Sequence, residues 1–399
     1  DGQIGITNNC DWREPLTDSP GDVAAAERGL LFQLGWLTDP IFGGKGDYPE
    51  VMKRMYRERL PRFTEEERRL LNGSADFLGI NHYGTGFSHY TPGRPGPDFS
   101  YSKMTEDGLY GAQSPWLYSA GWGFRKLLNW ISRRYKNVPV IVTEGGWSLA
   151  ADSAAAGASD LDRVAYYANY TSELRAAIYE DGVDVRGYFA WSLMDNFEWE
   201  RGYVERFGVT FSEFHFKADR KLSGAGQRLN FSGEAKTVAK NQPTAGRQMR
   251  TRKESSCWLE AVWRSNGLVD PYLDAYGCVT PKAFEGHFED SSAPGCLRKV
   301  LATENKKRKT WSVEVSGTDS RAPLAGCDAT NELAWGPIPA DVSGSTFAVD
   351  FSSRGGTTMQ GFWDREARGI RWADGSVWRW DPGARRLDRN ASAPGKRLA

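Results

Sequence analysis

Two runs of the chain place carboxylates where they could attack or bind a substrate. In Pro139-Val-Ile-Val-Thr-Glu144-Gly-Gly an apolar, β-branched stretch ends in one carboxylate and two glycines. A buried barrel strand delivers a carboxylate to the mouth of a pocket in this way. About fifty residues later a second such stretch, Val185 to Trp191, leads into Asp195, Glu198 and Trp199. Carboxylates and tryptophans at the ends of neighbouring strands suit attack at a sugar, because indole faces pack on sugar C–H groups while a carboxylate acts as nucleophile.

The elements that must position these groups can be read from periodicity. Gln3 to Thr7 reads as a short strand, Asp22 to Trp36 as a helix and Ala75 to Ile80 as a second strand. Thr64 and Glu67 form a capping box ahead of Leu70 and Leu71. Phe124, Leu127, Leu128, Ile131 and Tyr135 recur at helical spacing before the Val138–Thr143 strand. Val164, Tyr167, Thr171, Leu174 and Ile178 do the same before the Val185–Trp191 strand. Near-continuous apolar strands alternating with helices predict an α/β fold with a parallel sheet. Four strands are counted where a (β/α)₈ barrel needs eight.

Composition bounds the rest. The 399 residues include 51 basic and 51 acidic side chains, which gives no reason to expect nucleic acid or an anionic membrane as partner. No apolar run reaches the roughly 18–20 residues that span a bilayer. The chain opens on Asp1 rather than Met, so a native N-terminus is not expected here and a targeting segment is not readable. The sequons at Asn72, Asn169, Asn230 and Asn390, with five cysteines, hint only weakly at secretion. Cys257, Cys278, Cys296 and Cys327 fit no metal spacing; two disulfides and free buried thiols both remain open readings.

Residues 216–255 are rich in Lys, Arg, Gly, Ser and Gln and read as a basic flexible linker. From 256 to 382 the period becomes two, with Trp311, Val313 and Val315 alternating and Ile370 to Trp380 forming a hairpin around Asp374-Gly375. This predicts a separate, small, mostly-β domain, followed by a disordered tail over 383–399. Its Trp372, Trp378 and Trp380 read either as core or as a platform for polysaccharide contact.

The first 215 residues resemble the C-terminal half of glycoside hydrolase family 1, the β-glucosidase and lactase-like retaining enzymes. The segments that carry the resemblance are Gly5-Ile-Thr-Asn-Asn-Cys-Asp-Trp-Arg-Glu-Pro15, Gln33-Leu-Gly-Trp-Leu-Thr-Asp-Pro40, Gly46-Asp-Tyr-Pro49, Ala75 to Tyr83, Val142-Thr-Glu144, and Trp191 through Gly208. The resemblance implies strands five to eight of a TIM barrel and a reaction that needs no metal or organic cofactor. It implies Glu144 as nucleophile, Tyr83 as the phenol that aims it, and Asn81 beside them. It further implies Trp191 as platform, Glu198 and Trp199 as partners of sugar hydroxyls, Phe207 as apolar wall and Trp116 against the leaving group. Asp195 and Asn196 read as structural. Gly145 replaces the family's Asn, which predicts an altered loop. The family's acid/base Glu belongs to a Thr-x-Asn-Glu-Pro motif on the fourth strand, and Arg13-Glu14-Pro15 is not that motif. A chain without it is expected to be a poor catalyst of β-glycoside hydrolysis. The other reading is a non-catalytic glycan-binding protein.

Overall fold

The computed structural model describes residues 2–93, 99–103, 111–214, 249–269, 281–305, 310–321, 327, 331–343, 346–364, 367 and 369–381. These fall into two compact units. The first holds Asp1–Ala150, Asp162–Gly208 and Ser265–Pro271; the second holds Ala151–Leu161, Val209–Arg264 and the chain that follows 271.

The first unit is built on a parallel sheet of four strands in sequential order: β1 (Gly5–Asn9), β2 (Phe77–Asn81), β3 (Val140–Gly145) and β4 (Val185–Ala190). These are the four strands expected from the apolar runs, with ends displaced by about two residues. The expected helix from Asp22 is longer than its period implied. Helix α1 (Pro20–Leu30) continues through a π turn, Leu31–Gly35, into Trp36–Phe42. The Thr64–Glu67 capping box forms in both directions.

Helices α2 (Gly121–Arg134) and α3 (Leu161–Tyr179) supply the core. Phe124, Leu127, Leu128 and Ile131 are fully buried, each stabilising the fold by about 1.5–3 kcal/mol relative to exposure. Val164, Tyr166, Tyr167 and Tyr170 form the buried face of α3. Arg125 of α2 grips Asp181, just past α3, through two bonds of 2.7 and 2.8 Å, and Asn129 adds a third at 2.6 Å.

In the second unit, strands β5 (Thr210–Ser212) and β6 (Arg250–Arg252) pair antiparallel, and helix α4 (Glu254–Ser265) follows. The β6 strand and the start of α4 lie inside the stretch read as linker; 215–248 lie outside the described residues, as does the expected tail. The mostly-β region is a closed barrel of eight antiparallel strands in sequential order: β7 (Gly286–Asp290), β8 (Leu297–Asn305), β9 (Thr310–Ser320), β10 (Glu332–Ser343), β11 (Thr346–Asp350), β12 (Thr358–Asp364), β13 (Gly369–Trp372) and β14 (Val377–Trp380). Closure leaves no edge strand exposed, because β14 pairs back with β7. The expected hairpin is present, with Ile370 opposite Trp378 and Gly375 at φ 87° in the turn.

Phe284, Phe288, Phe347, Trp363, Trp372 and Trp378 fill the barrel. Trp372 and Trp378 are 2% and 5% exposed, so the platform reading loses two of its three rings to the core. Arg298 is buried with them, paired to Asp290 at 2.7 Å, with its guanidinium 5.3 Å from the Trp335 ring centroid. Cys296 and Cys327 form a disulfide; Cys257 is also disulfide-bonded, and Cys10 is a buried free thiol.

The Arg125 clamp holds the Asp181 carboxyl down to about 2, through the Arg125 and then the Asn129 hydrogen bonds. A depressed carboxyl stabilises the fold above its unfolded value of about 3.9 and loses that contribution as pH falls through its folded value. Asp181→Asn should therefore lower the melting temperature at pH 6, with the difference fading between about pH 4 and pH 2. Thermal melts of both proteins across that range check this.

Candidate active site at the strand ends

Main-chain bonds bring three strand ends side by side. The His82 N–H donates to the Glu144 carbonyl at 2.9 Å, and the Trp191 N–H donates to the Gly145 carbonyl at 2.8 Å. Asn81, Tyr83, Glu144 and Trp191 thereby share the C-terminal end of the sheet, where parallel α/β proteins carry their sites. His82 is a packing residue. Its ring stacks on Phe124 at 4.8 Å and lies 5.9 Å from Tyr170, and burial holds it below the usual imidazole range.

This packing aims Tyr83. The Tyr166 and Tyr170 hydroxyls donate to its carbonyl at 3.3 and 3.1 Å. Its own hydroxyl donates to Glu144 Oε2 at 2.6 Å. Burial, then the hydrogen bond to Glu144, push the phenol far above its ordinary range, so it stays a donor across the working pH range. The Tyr83 ring stands edge-on to Trp116 at 5.8 Å and to Phe207 at 6.0 Å. Phe207 is buried, whereas Trp116 is 45% exposed.

On the far side Trp191 Nε1 donates to Glu198 Oε1 at 3.2 Å. Glu198 is buried, and burial raises its carboxyl above the usual carboxylate range, with the charges of Glu205 and Glu144 adding to the effect. Asn81 Oδ1 accepts from Thr143 Oγ1 at 2.6 Å, which fixes the amide beside the Glu144 strand end. Trp199 is the outlier among the expected residues: it is 82% exposed, at φ 45°. The structure brings Glu144, Tyr83, Trp116 and Phe207 into one cluster and Trp191 with Glu198 into an adjoining pair; Trp199 stands outside both.

Two glycines follow Glu144 for different reasons. A Cβ on Gly146 would lie 2.0 Å from the Trp191 carbonyl oxygen, so the close backbone approach requires glycine. A Cβ on Gly145 would lie 2.7 Å from the Tyr188 hydroxyl and 3.3 Å from the His82 carbonyl oxygen, so a side chain there requires the Tyr188 ring to shift. The Asp195 carboxylate pairs with Arg206 at 2.9 Å and accepts the Gly208 N–H at 3.0 Å, a loop-holding role. Arg163 adds bonds to the Trp147 and Arg206 carbonyls, at 2.9 and 2.5 Å, tying the chain after Glu144 to the chain before Phe207. The tyrosines of α3 and Arg163 escaped the sequence reading as site supports. Their helical spacing reads equally as core, and nothing local links them to Glu144.

A carboxylate held by a phenol thus lies beside an indole and a second carboxylate at the ends of parallel strands in an α/β unit. The chain belongs to glycosyl hydrolase family 1, whose model matches residues 1–227. It is 41% identical over 227 residues to β-glucosidase 42 of Arabidopsis thaliana, covering 53% of this chain and 46% of that protein. It is 44% identical over 221 residues to β-glucosidase 1B of Phanerodontia chrysosporium, covering 53% and 40%. Among solved structures, β-glucosidase 2 from the fungus Trichoderma reesei in complex with Tris matches with a TM-score of 0.53 and 36% identity, over 67% of this chain and 54% of that one. The chain thus spans less than half the length of these two curated relatives. Among the described residues there is no cluster of three or more potential metal ligands, and no helix is long and apolar enough to cross a membrane.

Tyr83→Phe removes the side-chain hydrogen bond that, among the described residues, holds Glu144, while keeping the ring contacts. Hydrogen bonds to charged groups contribute about 1.5–3 kcal/mol. With Glu144 as nucleophile, its covalent trapping by an activated fluoroglycoside should slow by roughly 10–100-fold in the variant. Intact-mass kinetics measure this.

Proposed function

We propose that this chain carries the nucleophile of a retaining β-glycosidase acting on β-glucosides or β-galactosides by double displacement. The observation that carries the reading is the 2.6 Å bond from Tyr83 to Glu144, which holds one carboxylate oxygen and leaves the other for attack. Glu144 attacks C1 and the C1–O bond breaks with its electron pair leaving on the aglycone oxygen. Water then cleaves the glycosyl ester, returning the carboxylate and releasing the sugar. Trp191 serves as the floor under the reacting ring, Glu198 and Asn81 accept its hydroxyls, and Phe207 closes the apolar side. Trp116, exposed at the rim, suits stacking on the leaving group. Trp199 reaches a sugar hydroxyl only if its exposed indole turns inward.

In this reading the four parallel strands are half of a (β/α)₈ barrel, the half from the fifth strand onward. Proton donation to the leaving group, commonly worth ~10²–10⁴-fold, belongs to the other half. The chain by itself is then a nucleophile without an acid, a poor hydrolase for ordinary glycosides. The second reading, a glycan-binding protein without turnover, draws on that same shortage of an acid.

Leaving-group dependence separates the two. With a 2,4-dinitrophenyl 2-deoxy-2-fluoro-β-glucoside, whose phenolate leaves without protonation, the chain should gain one fluoroglucosyl adduct on the Glu144 peptide. Alkyl β-glucosides should not be cleaved measurably, and Glu144→Gln should gain no adduct. Binding of the sugar without any adduct would favour the second reading.

A further inference from the structure

Asn72-Gly73-Ser74 is an Asn-x-Ser/Thr triplet that the sugar site does not use, and it closes the helix Glu65–Leu71. The Ser74 N–H donates to the Leu71 carbonyl at 3.1 Å, with Asn72 at φ −63°, ψ 111° and Gly73 at φ 76°. These are the angles of a type II β-turn with asparagine in its second position and glycine in its third. All three residues are exposed, and a Cβ on Gly73 would meet nothing within 4 Å. The main chain beneath is fixed: the Asn72 N–H donates to the Arg68 carbonyl at 3.1 Å and the Gly73 N–H to the Ile41 carbonyl at 2.7 Å. Among the described residues, neither the Asn72 amide nor the Ser74 hydroxyl has a side-chain hydrogen bond. Asn169-Tyr170-Thr171 is the contrast, set inside α3. Its amide nitrogen donates to Ser119 Oγ at 3.3 Å, and the Thr171 hydroxyl donates to the Tyr167 carbonyl at 2.7 Å. A Cβ on Gly121 would lie 2.7 Å from Asn169 Oδ1, so the amide is packed against the start of α2. Asn230 and Asn390 lie outside the described residues.

We infer that Asn72 is an acceptor for an N-linked oligosaccharide and that Asn169 is not. The donor is an oligosaccharide on a lipid pyrophosphate. The Asn72 amide nitrogen bonds to its C1, the C1–O bond breaks with its electron pair leaving on the pyrophosphate, and the amide gives up one proton to a base of the transferase. Such an enzyme must reach the asparagine amide together with the hydroxyl two residues on, and an exposed turn presents both. On Asn72 a glycan displaces only water. On Asn169 it would displace Ser119 and press on Gly121. A second, independent observation points to the compartment that holds this donor. Cys296 and Cys327 are joined across a separation of 31 residues, and Cys257 is disulfide-bonded too. Disulfides persist in the secretory pathway and outside the cell and are rare in the cytosol. The inference goes beyond the glycosidase reading and does not depend on Glu144.

The test uses the full chain, sent through a eukaryotic secretory pathway behind a leader and digested without reduction for peptide mass spectrometry. The Asn72 peptide should carry a glycan in most molecules, and the Asn169 peptide should be bare. Removing glycans with a glycoamidase in heavy-oxygen water should leave a labelled aspartate in place of Asn72, which separates a lost glycan from spontaneous deamidation at Asn72-Gly73. Asn72→Gln should lose this glycan and no other. Ser74→Ala, which keeps the asparagine and the turn's main-chain bonds, should lose it equally. The Cys296 and Cys327 peptides should be recovered joined. A bare Asn72 in the secreted chain overturns the inference, as does a glycan on Asn169. Retention of the Asn72 glycan in the Ser74→Ala variant overturns it as well, since the hydroxyl is then not read. Recovery of Cys296 and Cys327 as free thiols removes the compartment argument and counts against it.

Discussion

The site depends on the parallel register that lays the end of β2 against the end of β3. Asn81 lies opposite Glu144 after a one-residue shift in the pairing at Ile80, and the His82 N–H reaches the Glu144 carbonyl. Without that shift Tyr83 would be displaced along the strand by about 3.3 Å, and its hydroxyl could not meet the carboxylate. The buried stack of His82, Phe124 and Tyr170 and the two phenols on the Tyr83 carbonyl hold the register. Helix packing, strand pairing and the Glu144 contact are thus links of one chain.

Electrostatics then divides labour between two carboxylates. Glu144 receives a neutral donor, and Glu198 sits in a drier place where burial favours its protonated form. Glu198 also shares Trp191 Nε1, so ring and carboxylate fix one another. The two carboxylates at the sheet end therefore sit in unlike surroundings, one held by a phenol and the other by an indole.

The parallel strands were legible because buried strands need unbroken β-branched runs, and Val140-Ile-Val-Thr supplies one. Helix α2 was legible because one face, Phe124 to Ile131, is apolar. The motifs around Glu144, Tyr83, Trp191 and Glu198 marked residues that the register brings to one sheet end. What stayed hidden has physical causes. Ala154-Ala-Ala-Gly-Ala158 has no apolar period of its own, so its place in the core of the second unit leaves no local signature. Arg298 alternates as a barrel residue, yet its charge reads as outward until Asp290 and the tryptophans are seen around it. Trp372 and Trp378 could have faced either side of a strand; closure of the barrel, a non-local event, settled it.

Gly146 has a consequence for how this sequence can change. The Trp191 carbonyl oxygen occupies the place where any side chain would begin, and it is main chain, so no rotamer can yield. Even alanine there would wedge the chain after β3 away from the Trp191 backbone that follows β4. At 145 a substitution asks the Tyr188 side chain to shift, but at 146 every missense change is a lesion to the sheet end's architecture, far in effect from its atomic size.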